Sequence, residues 1–285
     1  MSFRDAVQSH VAFRRSGWMD VRSDLLHFTL ITYALPVERL RPHIHPRFDI
    51  PTFPINGQQL ALMSAVPFLD ADFHLYRLAP FVKMRFAQTN YRVYVVDRET
   101  GEHCVWFFGT TLGSWAVHIA RTLWHIPWHH ARYEVDCFYN PSCRAYDHYR
   151  FSVQSDWASA EIELEDTGEP MPLTPGFSTL DEQILILTHP ITGYFYQLNE
   201  ERRLSGETGA TSCCFLLSKP ERSMDVGAYS VWHEEIPLTV GKAKHLYFSL
   251  YERLGLLSRE EMEKPHSVLV CPKIMFEVHL PPRKL

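Results

Sequence analysis

The segment FVKMRFAQTNYRVYVVDRETGEHCVWFFGTT, residues 81–111, constrains the fold of this chain more than any other stretch. Two runs rich in Val, Tyr and Phe flank a charged Asp-Arg-Glu-Thr-Gly turn, which is the pattern of a β-hairpin. Strand alternation places Asn90, Arg92 and Tyr94 on one face, with Tyr91 and its alternate neighbours on the other. The polar face is either exposed to water on an ordinary sheet or lines a ligand cavity in a barrel.

The rest of the chain has more strand patterns than helix patterns. Strands are predicted at 25–35, 57–68, 130–139, 145–154, 158–166, 211–219, 228–236 and 267–280. Because the strands follow one another with short turns and interspersed helices, an antiparallel sheet or closed barrel is favoured over a parallel βαβ fold.

Four helices are predicted between these strands. A short helix at 36–44 has proline at its first position, and a second runs from Trp115 to about His125, with Ser114 as its N-cap. Thr179 and Glu182 form a candidate capping box for a helix through about Leu187. The spacing over 242–257 predicts a fourth helix that ends at a glycine.

The size of the chain allows one substantial core. It has 285 residues, of which 46% are hydrophobic. The proline-rich stretch at 169–176 is the only candidate linker, and strands of similar composition continue on both sides of it. We therefore expect residues 1–285 to form a single domain.

Charge and motifs exclude several classes of function. The formal net charge of −5 argues against a nucleic-acid partner. The sequence has no apolar signal segment and no run of about eighteen apolar residues, so we expect no membrane contact. Six cysteines without a C-x-x-C pair predict reduced, inert thiols in a cytoplasmic protein. Nucleotide fingerprints and the usual hydrolase elbow are absent, so no cofactor is predicted.

Histidines are dense in WHIPWHH, residues 124–130, and occur as a pair in RPHIHP, residues 41–46. Pro127 prevents His125 and His129 from sharing a regular helical face, so the first cluster is either a pocket wall or packing. His43 and His45 share a face only if their segment is extended, and no third ligand follows from the spacing. No metal is therefore predicted at either place.

Several segments together resemble the YqjF-like family, an uncharacterised bacterial family known as domain of unknown function 2071. LLHFTLITYALPVERLRPHIHPRFDIPTFPINGQQLALMSAVPF is similar to the family's opening strand, Pro-x-x-x-Leu helix and next strand, and TNYRVYV resembles its Asn-x-Arg-x-Tyr-Val motif. VWFFGTTLGSWAVHIARTLWHIPWHHARYEV resembles its strand, Ala-Arg helix and corner, with Ile126–Pro127–Trp128 replacing a Leu-Pro-Tyr sequence. The resemblance covers residues 20–255 and is looser after residue 140, where LILTHPITGYFY lacks the family's arginine.

The resemblance implies an α+β, mainly β fold: the antiparallel closed or cone-like β-barrel of acetoacetate decarboxylase, with flanking helices. In that enzyme a Pro-Lys-Lys segment supplies the Schiff-base lysine, whose pKa the neighbouring lysine lowers. The corresponding segment here is Pro127–Trp128–His129, and the lysine nearest to it in sequence is Lys83. Because histidine cannot form the iminium, the resemblance implies that Schiff-base decarboxylation is lost. The decarboxylase's acidic strand residue also has no counterpart near Asn90 and Arg92.

What remains is a predicted barrel cavity with a ligand-binding set, namely Asn90, Arg92, Trp128, His129 and His130. Aromatic side chains with one arginine suit a small organic anion or a carbonyl compound. His129 is the candidate general acid or base, because histidine titrates near neutral pH. The leading hypothesis is an uncharacterised small-molecule-binding protein.

Two alternatives stay open. One is a lyase or hydratase-type enzyme that uses a histidine as acid and base. The other is a non-catalytic structural or partner-binding domain, in which Phe108, Trp115 and Trp124 would fill the cavity as core. A homo-oligomer is compatible with every reading.

Overall fold

The computed structural model describes residues 17–198, 225–234 and 237–285, and strands dominate them. The strands are β1 (Val21–Leu35), β2 (Phe48–Asp49), β3 (Phe53–Ile55), β4 (Gln58–Leu75), β5 (Met84–Asp97), β6 (His103–Leu112), β7 (Trp128–His130), β8 (Arg132–Asn140), β9 (Ala145–Gln154), β10 (Ala160–Pro170), β11 (Thr192–Tyr196), β12 (Val226–His233), β13 (Thr239–Phe248) and β14 (Ser267–Lys284). The helices are α1 (Val37–Leu40), α2 (Val117–Trp124), α3 (Leu180–Thr188), α4 (Ser249–Arg253) and α5 (Arg259–Met262). None of the described helices has the length and apolar character needed to cross a membrane.

Seven strands pair into a ring in the order β1, β4, β5, β6, β11, β12 and β14, and β14 pairs back with β1. The first part of β14 also pairs with β13, from which β10, β9 and β8 extend the sheet away from the ring. Most neighbours are antiparallel, but β6 pairs in parallel with both β11 and β7. The predicted mainly β, ring-like architecture is confirmed, with a mixed sheet in place of a purely antiparallel one.

Strand alternation divides the apolar residues into two cores. On β5, Tyr91 and Val93 belong to the outer core, where the ring packs against β8–β10 and α4. Tyr94, from the same strand, belongs to an inner core together with Phe107 and residues of the other ring strands. The face division predicted for residues 90–95 is therefore confirmed, and the polar face points into the ring.

The chain segment 242–257 differs from its prediction. Its first half is β13, and only Ser249–Arg253 form a helix. Residues 242–248 pair with β10, with Phe248 opposite Ala160, so sheet pairing overrides the helical spacing. The predicted stop is confirmed, because Gly255 adopts a φ of 66° just beyond α4.

The other predicted elements are present, β9 with the predicted ends and the rest with shifted ends, apart from 211–219, which lies outside the described residues. Helix α2 begins at Val117, two residues later than expected, and ends at Trp124, before His125, which is left-handed with a φ of 54°. Thr179 caps α3 by accepting from the Glu182 amide at 3.1 Å, whereas the Glu182 carboxylate accepts from Ser178. The cap at Thr179 is therefore confirmed, without the reciprocal half of a capping box.

Candidate functional site

A cavity of about 520 Å³ lies inside the ring, and every ring strand contributes to its wall. Helix α3, Trp128 of β7, the end of β10 and loop residues such as Leu238 also contribute to the wall, which is mostly apolar. A volume of this size suits a small organic molecule. The lining residues with polar side chains are Ser23, Asp70, Gln88, Asn90, Arg92, Thr188, His189, Tyr229, His233 and Glu234.

Three of the five predicted ligand-binding residues line this cavity: Asn90, Arg92 and Trp128. Gln88, Asn90 and Arg92 alternate along β5, which is why all three point into the ring. The Asn90 Oδ1 accepts a hydrogen bond from the Thr110 hydroxyl at 2.7 Å, which fixes the amide against β6.

Arg92 lies at the C-terminal end of α3. Its Nη2 donates to the carbonyl oxygen of Leu187 at 2.9 Å, and the Tyr94 hydroxyl donates to the same oxygen at 3.2 Å. The Arg92 Nε is buried without a hydrogen-bond partner. Within the part of the chain that the structure describes, no carboxylate forms an ion pair with this guanidinium.

The segment 124–130 splits between the two cores. Strand β7 runs parallel to β6, with Trp128 opposite Thr110, and alternation turns Trp128 into the cavity and His129 away from it. His129 lies flat against the Trp157 indole in the outer core, with ring centroids 4.0 Å apart, and His130 is exposed. Contrary to prediction, the structure does not bring His129 and His130 to the cavity wall.

The surroundings of His129 favour a neutral imidazole. Burial, followed by the charges of Arg121 and Arg253, holds the pKa of His129 well below its usual value. Arg121 Nη1 lies 3.4 Å from the His129 Nδ1 and donates to the Trp128 carbonyl at 3.0 Å. Neither its position nor its protonation supports the acid–base role predicted for His129.

Two other histidines do line the cavity, and sequence reasoning missed both. His189 follows α3 and stacks on His233 of β12, with centroids 4.4 Å apart and an interplanar angle of 11°. The His233 ring nitrogens lie 2.7 Å from the Thr188 oxygen and 2.8 Å from the Glu234 backbone oxygen. Burial lowers the pKa of His233, while these carbonyls act in the opposite direction.

Sequence reasoning also missed a carboxyl group inside the ring. Asp70 of β4 is 3% exposed, and its Oδ2 has no hydrogen-bond partner. Burial raises the pKa of Asp70 to about 7, against a smaller lowering effect of neighbouring Ser23. The available signal was strand length, because β4 continues seven residues beyond the predicted end at residue 68 and carries Asp70 into the wall.

The remaining site predictions concern metals and lysines. His43 lies in a 3₁₀ turn, so His43 and His45 do not share an extended face as the metal reading required. Among residues 17–198, 225–234 and 237–285, no group of three or more His, Cys, Asp or Glu side chains is placed to hold a metal ion. The described lining of the cavity contains no lysine.

Solved structures with this fold are acetoacetate decarboxylase-like proteins. The acetoacetate decarboxylase from Legionella pneumophila is 12% identical, with a TM-score of 0.57 over 98% of this chain and 95% of its own. An acetoacetate decarboxylase-like enzyme from Sphingomonas wittichii is 7% identical, with a TM-score of 0.55 over 95% and 94%. The enduracididine biosynthesis enzyme MppR is 10% identical, with a TM-score of 0.56 over 93% and 88%. These similarities establish the fold.

The sequence comparisons agree with the resemblance noted from the motifs. No curated protein matches the chain. The family model described as an uncharacterized conserved protein (COG2071), domain of unknown function 2071, matches residues 22–200, which include the hairpin, the 124–130 segment and α3. The chain therefore belongs to the domain of unknown function 2071 family.

Proposed function

We propose that this protein binds a small organic carboxylate inside the ring, with Arg92 as the anchor. The observation that carries the proposal is a guanidinium in the cavity wall that has a buried, unpaired Nε and no ion-pair partner in the described chain. A partly buried cation without a counter-charge is unfavourable, and a bound carboxylate would compensate it.

The chemistry of the wall supports the same ligand class. A guanidinium presents several donors in a fixed fork, which matches the two oxygens of a carboxylate. Phe107, Trp128 and Phe276 provide apolar surface for the rest of the molecule. A similar fold holds such a ligand, since one structure of MppR is a complex with pyruvate.

Isothermal titration calorimetry with matched pairs of ligands tests this proposal. Each pair contains a carboxylate and its neutral amide, which have the same shape and differ in charge. We expect the carboxylate to bind more tightly to the wild type, and Arg92→Met to weaken carboxylate binding by about tenfold or more, the effect of losing a charge-assisted hydrogen bond.

The matched control is Tyr94→Phe, which removes the other donor to the Leu187 carbonyl and keeps the guanidinium. This variant should retain the preference for carboxylates. It therefore distinguishes weaker binding caused by disturbing α3 from weaker binding caused by removing the guanidinium charge. Equal affinity for carboxylates and amides in the wild type would contradict the proposal.

A second candidate function is a lyase or hydratase-type enzyme. The observation that favours it is His189, a histidine in the lining of the cavity that also contains Arg92. The test is turnover of oxoacids and β-dicarbonyl compounds by the wild type and by His189→Gln, with His129→Ala as the control outside the lining. Equal rates in the wild type and His189→Gln would remove this histidine from the mechanism.

The third reading, a cavity filled as core, finds no support in the residues expected to fill it. Trp115 is 67% exposed, and Phe108 belongs to the outer core. Trp124 is only partly buried beside the inner core and is not among the described lining residues.

A further inference from the structure

The cavity contains two opposite charges that the described chain leaves uncompensated. Among the described lining residues, the carboxyl groups are those of Asp70 and Glu234, and the guanidinium is that of Arg92. Arg92 lacks an anionic partner, and Asp70 lacks a cationic one. A ligand can supply both missing partners only if it carries both charges itself.

The Asp70 end of the cavity has two polar atoms that accept hydrogen bonds. The Asp70 Oδ2 and the Ser23 Oγ are buried and form no hydrogen bond of normal geometry, although the Ser23 hydroxyl is close enough to the Asp70 carboxyl to lower its pKa; both residues are 3% exposed. Both residues line the cavity, on the adjacent strands β4 and β1. Buried polar atoms are nearly always satisfied in folded proteins, so this pair indicates a ligand group that donates hydrogen bonds.

The two charged positions lie far apart along the hairpin. Asp70 of β4 is opposite Phe86 of β5, and Arg92 follows six residues later on β5. With a rise of about 3.3 Å per residue, the two backbone positions are separated by about 20 Å along the strand. The long side chain of Arg92 shortens this span, but a ligand that touches both groups must still be elongated.

Glu234 differs from Asp70 in having a partner and a basic neighbour. Its Oε1 accepts from the Met275 amide at 3.0 Å, and its charge contributes to raising the pKa of Lys273. Glu234 is therefore the matched acid for an experiment: a carboxylate in the same lining whose charge is already partly compensated.

We propose that the natural ligand is an elongated amino carboxylic acid, whose carboxylate binds Arg92 and whose ammonium group binds Asp70 and Ser23. This inference rests on the proposed carboxylate site and extends it to the other end of the cavity. An ammonium group has three donors, which satisfy the Asp70 Oδ2 and the Ser23 Oγ together. The apolar wall between the two ends accommodates the hydrocarbon chain.

The experiment compares three ligand series of graded chain length by calorimetry: ω-amino carboxylic acids, plain carboxylic acids and plain amines. A pH of about 8 keeps the amine protonated and lies above the pKa of about 7 for Asp70. We expect at least one amino acid to bind about tenfold or more tightly than the plain acid of equal length, the effect of one charged hydrogen-bonded contact. In Asp70→Asn the amino acid and the plain acid of equal length should bind with nearly equal affinity, and the affinity for the plain acid should be unchanged.

Glu234→Gln removes a carboxylate from the same wall, and the amino acid should still bind more tightly than the plain acid of equal length. The inference is overturned if amino acids gain nothing over plain acids, or if the gain survives in Asp70→Asn. In both cases the proposed function would still hold if plain acids bind to the wild type and bind more weakly when Arg92 is replaced. Failure of all three series to bind would overturn the inference and the proposed function together.

Discussion

The imidazole of His129 lies parallel to the indole of Trp157, with ring centroids 4.0 Å apart and an interplanar angle of 4°. Both rings are buried, and Arg253 donates a hydrogen bond to the carbonyl oxygen of Trp157. This stack gives His129 a place in the outer core, while Trp128 beside it faces the cavity. The density of histidines in this segment therefore reflects packing as much as chemistry.

The first prediction concerns pH and His129. Because burial lowers its pKa in the folded protein, the unfolded chain binds the proton more readily below a pH of about 6.5. The free energy of unfolding should therefore fall as the pH drops below that value. In His129→Phe this part of the pH dependence should disappear, as measured by urea unfolding between pH 5 and pH 8. The control is His130→Gln, at an exposed neighbour outside the stack, in which the fall in the free energy of unfolding below a pH of about 6.5 should remain.

The second prediction concerns the close approach of β6 to the 124–130 segment. A Cβ atom on Gly109 would lie 2.9 Å from the carbonyl oxygen of Pro127 and 2.7 Å from the Trp157 ring. The Thr110 amide donates to that same Pro127 oxygen at 3.0 Å, so the backbone cannot withdraw freely. We expect Gly109→Ala to lower the free energy of unfolding by about 2–3 kcal/mol through overpacking and backbone strain.

The control for Gly109 is Gly57→Ala. Gly57 has a φ of 79°, which is positive like the φ of 156° at Gly109, but nothing lies within 4 Å of its Cβ position. It should show only the backbone cost of about 1 kcal/mol. If the free energy of unfolding falls equally in the two variants, the steric contact with Pro127 and Trp157 does not contribute to the effect of Gly109→Ala.

Local patterns were sufficient for the hairpin and for part of the candidate site. Asn90 and Arg92 could be placed on one face because strand alternation depends only on the strand itself. The opposite faces of Trp128 and His129 could be expected too, but which face meets the cavity depends on the parallel pairing of β7 with β6. That pairing joins segments about twenty residues apart and has no local signal.

The rest of the site depends on closure of the ring. Ser23 and His233 lie in the same wall because β14 pairs with β1 on one side and with β12 on the other. The paired residues of β1 and β14 are more than two hundred residues apart in the sequence. The error over 242–257 has the same origin, since β13 exists through its pairing with β10. Sequence periodicity describes one segment at a time and cannot anticipate these partners.

The third prediction concerns thiol reactivity. Burial raises the pKa of Cys104 and of Cys271 to about 12, whereas Cys143 is exposed. The thiolate is the nucleophile, so iodoacetamide should modify Cys143 well before the two buried thiols in the native protein. Peptide mass mapping over a time course checks this order. Labelling of Cys104 as fast as Cys143 would contradict the burial that the structure gives it.

Asp70 is expected to lower the stability of the empty protein at neutral and alkaline pH. Its folded-state pKa of about 7 lies above the usual 3.8, so the folded protein keeps a proton that the unfolded chain releases. The contribution of protonated Asp70 to the free energy of unfolding is complete below a pH of about 4 and is lost as the pH rises through about 7. A difference of this size corresponds to about 4 kcal/mol.

The fourth prediction follows for Asp70→Asn, which keeps the shape of the side chain and cannot ionise. At a pH of about 8 the variant should unfold at a higher urea concentration than the wild type, with a gain of up to about 4 kcal/mol, and the curves should converge near pH 4. Asp72→Asn is the matched control, because Asp72 lies on the same strand and forms an ion pair with Lys83 at 2.9 Å. The free energy of unfolding of that variant should not exceed the wild-type value at a pH of about 8. A wild type as stable at pH 8 as Asp70→Asn would mean that Asp70 already has a counter-charge, and the reason for an ammonium ligand would be gone.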